Sequence, residues 1–161
     1  MQKNNQPFYL SEVVLDENTI QKAAPAIEHE RNVAIYDLID LNFFKPNIAT
    51  KGPYHLKLGI NDKRTLVFDV MDETDKTLMV YLLSLTPFKR MIHDYHEICD
   101  SYFDAIKRMS PAQIETIDMA RRAIHNEGSE LLQTRLEGKI HLDNPTARRL
   151  FTLVFALHAQ L

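Results

Sequence analysis

The feature that most constrains this chain is its last helical segment. Asn144-Pro145 opens a run, Thr146 to Gln160, that is apolar almost all the way round. A helix with no wet face has to be surrounded, so the rest of the fold must be built about it. The longest apolar stretch, Leu150 to Ala159, is half of the roughly 20 residues a membrane helix needs, and Arg148-Arg149 precede it. The expectation is therefore a buried central helix, and trimming its last turn is expected to cost several kcal/mol.

The other elements supply the surroundings. Phe8 to Leu15 reads as a strand, and Pro25 to Asn42 as a helix with Ile27, Val33, Ala34, Leu38 and Leu41 at helical spacing. Residues 43 to 53 hold two prolines and a glycine and read as a loop. His55–Ile60 and Thr65–Met71 alternate with period two, and a polar turn separates them. Leu78–Leu85 is apolar on both faces, which predicts a strand that is central or covered twice. Consecutive hairpins predict an antiparallel meander. Thr86-Pro87 starts a helix whose stripe runs from Phe88 through Ile92, Tyr95, Cys99 and Phe103 to Met109. Ser110-Pro111-Ala112-Gln113 is a capping box for the next helix. Gly128 lies on that helix's apolar face, and predicts either a break there or the close approach of another element, the break being favoured. Lys139–Leu142 reads as a short edge strand. The fold class expected is α+β: a small antiparallel sheet of three or four strands packed by four or five helices, with the C-terminal one buried. Residues 1–7 read as a disordered tail and 8–161 as one α+β domain.

With 19 Lys+Arg against 22 Asp+Glu, the chain has a formal charge of −3, which argues against a protein built mainly to hold nucleic-acid phosphates. A lone cysteine, Cys99, cannot form an intrachain disulfide, and the N-terminus lacks the apolar core of a signal peptide. These features predict a protein of a reducing cytoplasm with no membrane span. Paired cysteines for zinc, a Gly-rich phosphate loop and a Gly-x-Ser-x-Gly elbow are all missing, so no cofactor and no metal is expected. His93, His96 and Glu97 could be written as ligands, but they stand among charged residues opposite the apolar stripe and read as a hydrated face.

Two polar clusters carry the functional options. Glu28, Glu30 and Arg31 crowd the start of the first helix, with Asp37 two turns on. Two carboxylates there could act as acid and base, or simply meet the positive end of the helix dipole. Asp118, Arg121, Arg122, His125, Asn126 and Glu127 form the second. Asp118, Arg122 and His125 stand at i, i+4 and i+7, placed on a face away from Ile117 and Ile124. An imidazole, an amide, carboxylates and guanidinium forks are the parts of an anion site or an acid–base site; ordinary helix pairing of Asp118 with Arg122 is the plainer reading. Arg148 and Arg149 either lock the last helix to the first-half helix or present a basic patch together with Arg121 and Arg122.

Several segments in order resemble one family: Glu-His-Glu-Arg with Ala-Ile-Tyr-Asp-Leu-Ile (28–39), Gly-Pro-Tyr-His-Leu-Lys-Leu (52–58), Leu-Ser-Leu-Thr-Pro-Phe-Lys-Arg (83–90), His-Asn-Glu-Gly-Ser (125–129) and Thr-Ala-Arg-Arg-Leu-Phe-Thr-Leu (146–153). The chain is similar over nearly its whole length to uncharacterised protein family 0262 of alphaproteobacteria. The resemblance implies a bacterial cytosolic protein of one domain and brings no activity, cofactor or catalytic residue.

Two functions of different classes are expected from these residues. One is a non-enzymatic module that binds an unknown protein partner or forms a homo-oligomer through an uncovered sheet face, with Met79 and Tyr81 as contacts. The other is a small enzyme or a binder of a small anionic ligand, using His125, Glu127 and Arg122 with Glu28 or Glu30. Nucleic-acid binding is a distant third and would need Arg121, Arg122, Arg148 and Arg149 on one open face.

Overall fold

The computed structural model describes residues 6–157. Both the expected tail, apart from Gln6 and Pro7, and the last turn of the C-terminal segment lie outside these residues. The order of elements is β1 (Leu10–Leu15), α1 (Pro25–Asp40), β2 (Phe44–Pro46), β3 (Tyr54–Asn61), β4 (Thr65–Met71), β5 (Thr77–Ser84), a 3₁₀ turn (Thr86–Phe88), α2 (Lys89–Ala105), α3 (Pro111–Arg135), β6 (Ile140–Leu142) and α4 (Asn144–Ala156). The α+β class holds, with an antiparallel-rich sheet of four strands in the order β1-β3-β4-β5.

β3, β4 and β5 form the meander that the polar turns predict. β1 adds to β3 in parallel, because α1 carries the chain across between them. The expected antiparallel sheet is thus corrected at β1: a helical crossover between two strands of one sheet makes them parallel, where a hairpin would make them antiparallel. Part of the expected loop after α1 is strand as well: β2 pairs antiparallel with β6 in a two-stranded ribbon.

One face of the sheet carries Leu56, Leu58, Leu66, Phe68 and Val70, all fully buried. α4 covers the centre of the fold with Ala147, Leu150, Phe151, Leu153 and Val154, each buried. The Asp143 carboxylate caps this helix by accepting the Thr146 N–H at 2.9 Å. α1 and α3 flank α4, and α2 packs on α3. Two buried polar side chains join α1 to its surroundings. Asn42 donates to the carbonyls of Leu38 and Leu10 and accepts the Leu10 N–H at 2.7 Å, so one amide ends α1 and fixes β1 to it. Arg31 donates to Ala156 O at 3.0 Å, to Gln21 O at 3.0 Å and to Glu28 at 2.9 Å.

Three further expectations are corrected. α3 runs unbroken through Gly128; the glycine is there because the ring of Phe151 lies against it. β5 is an edge strand, not a central one. Tyr81 faces the core at 9% exposure, while Val80 and Leu82 (53% exposed) lie on the sheet's open outer face with Val14. Lys139 donates to Leu82 O at 3.1 Å and so occupies a carbonyl of the β5 edge with a charge, a common protection of an unpaired edge. The apolar stripe of α2 is not buried to its end: Phe103 is 61% exposed, and Ile106 and Met109 are exposed with it at the tip of the α2–α3 hairpin.

Candidate anion-binding site

α2, α3 and α4 meet around a groove of about 450 Å³ lined by Tyr95, Arg121, Arg122, His125, Arg148, Arg149 and Thr152. The helical repeat places these residues. Arg121 and Arg122 are neighbours on α3 with His125 one turn on, and Arg148 and Thr152 are one turn apart on α4. The short polar start of α4 therefore lies beside the polar middle of α3, with four guanidinium groups at one opening.

The arginines differ in what holds them. Asp118 accepts from Arg121 Nη2 at 2.6 Å and from Arg122 Nη2 at 2.9 Å. These bonds, that to Arg121 foremost, hold the Asp118 carboxyl below the usual carboxylate range, and they raise Arg121 in turn. Arg121 also lies over the Tyr102 ring, 5.0 Å from its centre. Arg149 donates to Leu41 O at 2.8 Å, so it does lock α4 to the end of α1, through a carbonyl and not a carboxylate. Arg148, half-buried, has no carboxylate or carbonyl partner for its guanidinium among the described residues.

His125 is turned inward, not onto the polar face the spacing suggests. It is 8% exposed and packs against Phe151, ring centres 5.1 Å apart, and Tyr95, 5.4 Å apart. Its Nε2 lies 2.8 Å from Thr152 Oγ1, and Thr152 donates its only proton to Arg148 O at 3.1 Å. Thr152 oxygen therefore accepts Nε2–H, which fixes the tautomer. Burial, with Arg148 and Arg121 nearby, pushes the imidazole pKa from 6.5 down to about 4. At neutral pH it is an uncharged, internally bonded ring; the buried Ser129 Oγ lies 3.5 Å from its Nδ1 but donates its proton to His125 O at 2.8 Å.

The other sequence candidates fall elsewhere. Asn126 and Glu127 are exposed on α3 and do not line the groove. Glu28 accepts the Ala23 N–H at 3.2 Å and pairs with Arg31, so both serve the start of α1. Glu30 is exposed, and its charge acts on Cys99, whose thiol is raised mainly by burial. Cys99 contacts Tyr95, and Tyr95 contacts Arg121, so side chains of α2 lie between the first cluster and the second. Sequence reading did not include Tyr95 and Thr152 in the site; both are the wet ends of residues on otherwise apolar faces, a weak signal.

Two groups among the described residues bring three possible ligand atoms within 4.8 Å of one another: Glu12, His55 and Asp75, and His93, Asp94 and Glu97. In the first, His55 and Asp75 pair at 2.8 Å across the sheet's rim. In the second, the residues pair along the exposed side of α2 at 3.5 to 3.7 Å. No helix among the described residues is long and apolar enough to cross a membrane.

Fold and groove together define an α+β protein with four arginines at one opening between three helices. The chain belongs to the Uncharacterised protein family (UPF0262), whose model matches residues 8–160. It is similar to a UPF0262 protein of Rhodopseudomonas palustris (strain BisB18), 54% identical over 91% of this chain and 89% of that one. It is also similar to one of Roseobacter denitrificans, 52% identical over 92% and 96%. A relative in Nitrobacter hamburgensis is 53% identical over 91% of this chain and 88% of its own. No solved structure matches the chain.

Proposed function

We propose that this protein binds a small anion, carrying phosphate or carboxylate groups, in the groove between α2, α3 and α4. The observation that supports it is the state of Arg148. Its neighbours Arg121 and Arg122 are neutralised in part by Asp118, and Arg149 is bonded to Leu41 O, whereas the half-buried Arg148 guanidinium is left with its donors unspent. A planar fork of that kind matches a carboxylate or phosphate in two parallel bonds. The groove's size lies within the range of small-molecule sites. His125 supports binding over catalysis: it is neutral and its Nε2–H is already given to Thr152.

Isothermal titration of the protein with pyrophosphate and with citrate tests this reading. Saturable binding that weakens at least tenfold in Arg148→Gln is expected, since a charge-assisted bidentate contact is worth more than about 1.4 kcal/mol. Heat that never saturates, or binding equal in the variant, would reject it.

A second reading, self-association, is supported by the uncovered outer face of the sheet, where Val14, Val80 and Leu82 are exposed. Sedimentation equilibrium decides it: a dimer that Leu82→Lys converts to monomer supports it, and a monomer at high concentration does not.

A further inference from the structure

A cavity of about 550 Å³, larger than the groove, opens on a different flank of α2. It is lined by Lys63 and Arg64 from the β3–β4 turn, Leu85 and Thr86 beyond β5, and Lys89, Ile92, His93 and His96 from α2. We infer that this cavity is a second binding site, for a small amphipathic anion: a carboxylate head among Lys63, Arg64 and Lys89, and an apolar body against Leu85 and Ile92.

Three observations carry it. The turn that bears Lys63 and Arg64 is fixed, because Leu85 N–H donates to Arg64 O at 2.6 Å and Arg64 N–H to Asn61 O at 3.1 Å. The backbone that carries both cations is thereby tied beside the cavity mouth, with the two side chains exposed. None of Lys63, Arg64 and Lys89 has a carboxylate partner among the described residues. The carboxylates close by on α2 are engaged with other groups: Asp94 with Arg90 and His93, Glu97 with His93, and Asp100 with His96. Three gathered cations repel one another, and an anion relieves that repulsion. The floor, finally, is apolar and buried: Leu85 and Ile92 are 4% and 6% exposed. An inorganic ion uses only the rim of such a cavity. A ligand that has both a charge and a short apolar chain uses rim and floor together, with about fourfold in affinity for each methylene it buries.

No residue lines both this cavity and the arginine groove. Tyr95 faces α3 and the groove, whereas Lys89, Ile92, His93 and His96 lie on another stripe of α2. The test is a titration of the full chain with butanoate, hexanoate and octanoate, followed by the methyl resonances of Leu85 and Ile92. Saturable shifts are expected, with affinity rising with chain length. The double variant Lys63→Glu/Lys89→Glu, both at exposed positions, is expected to lose at least tenfold, and 1-octanol, which has no charge, is expected to bind at least tenfold more weakly than octanoate. Arg148→Gln is expected to change nothing here, which separates this site from the groove. Unmoved Leu85 and Ile92 resonances, shifts confined to Tyr95 and Thr152, equal binding of octanol, or equal binding by the double variant would each overturn the inference. So would retention of the protein on anionic phospholipid vesicles without any octanoate shift, which would give the cations to a lipid surface.

Discussion

A Cβ placed on Gly128 would stand 2.3 Å from Cζ of Phe151, far inside contact distance. α3 and α4 approach as closely as they do because one residue of α3 has no side chain where the aromatic ring of α4 lies. Gly128→Ala is expected to lower stability by about 2 kcal/mol or more, despite the roughly 1 kcal/mol that alanine gains in a helix interior. Urea unfolding measures it. Gly128→Ala/Phe151→Leu should recover part of the loss, because the smaller side chain vacates the contested space; two independent, additive losses would show that the residues do not contact.

His125 makes stability depend on pH in a definite direction. Its pKa is 6.5 ordinarily and about 4 in the fold, so between these values the unfolded chain holds a proton that the folded one does not. Its contribution is fully present above pH 6.5 and is lost as pH falls toward 4, by about 3 kcal/mol at most. The urea midpoint should fall over that interval in the natural sequence and fall less steeply in His125→Gln. Equal slopes would remove His125 from the acid response.

Arg31 is a structural cation. Its Nε donates to Ala156 O and its Nη1 to Gln21 O and Glu28, tying the start of α1 to the end of α4, while its Nη2 is buried with no partner among the described residues. Arg31→Met keeps much of the apolar stem and leaves those carbonyls without their donor, at a cost of about 2–4 kcal/mol. Thermal unfolding should report it. Arg149→Met, which removes one bond at a half-exposed site, should cost about 1 kcal/mol.

The sequence was most legible where a local pattern decides the outcome. The Ser110–Gln113 capping box, the β3–β4–β5 meander and the burial of α4 all follow from spacing of a few residues. It was least legible where packing between distant segments decides. Gly128 admits a break or a close neighbour, and favours the break, until Phe151 is known to lie 23 positions along the chain against it. β5 reads as central because all its side chains but a few are apolar, yet its place at the edge depends on which strand ends the sheet. In the site, the spacing grouped Asp118, Arg121 and Arg122 as the structure does, while the inward turn of His125 depends on Tyr95 and Phe151 from two other helices.

The most direct test of anion binding reads His125 itself. Arg148 and Arg121 help hold its imidazole uncharged, so an anion seated among the arginines must cancel part of their effect and raise its pKa. The measurement is an NMR titration of the His125 ring with and without saturating pyrophosphate. A midpoint near 4 that climbs toward 6.5 when pyrophosphate is present is the predicted result. A midpoint that does not move on adding pyrophosphate would contradict binding of the anion in this groove.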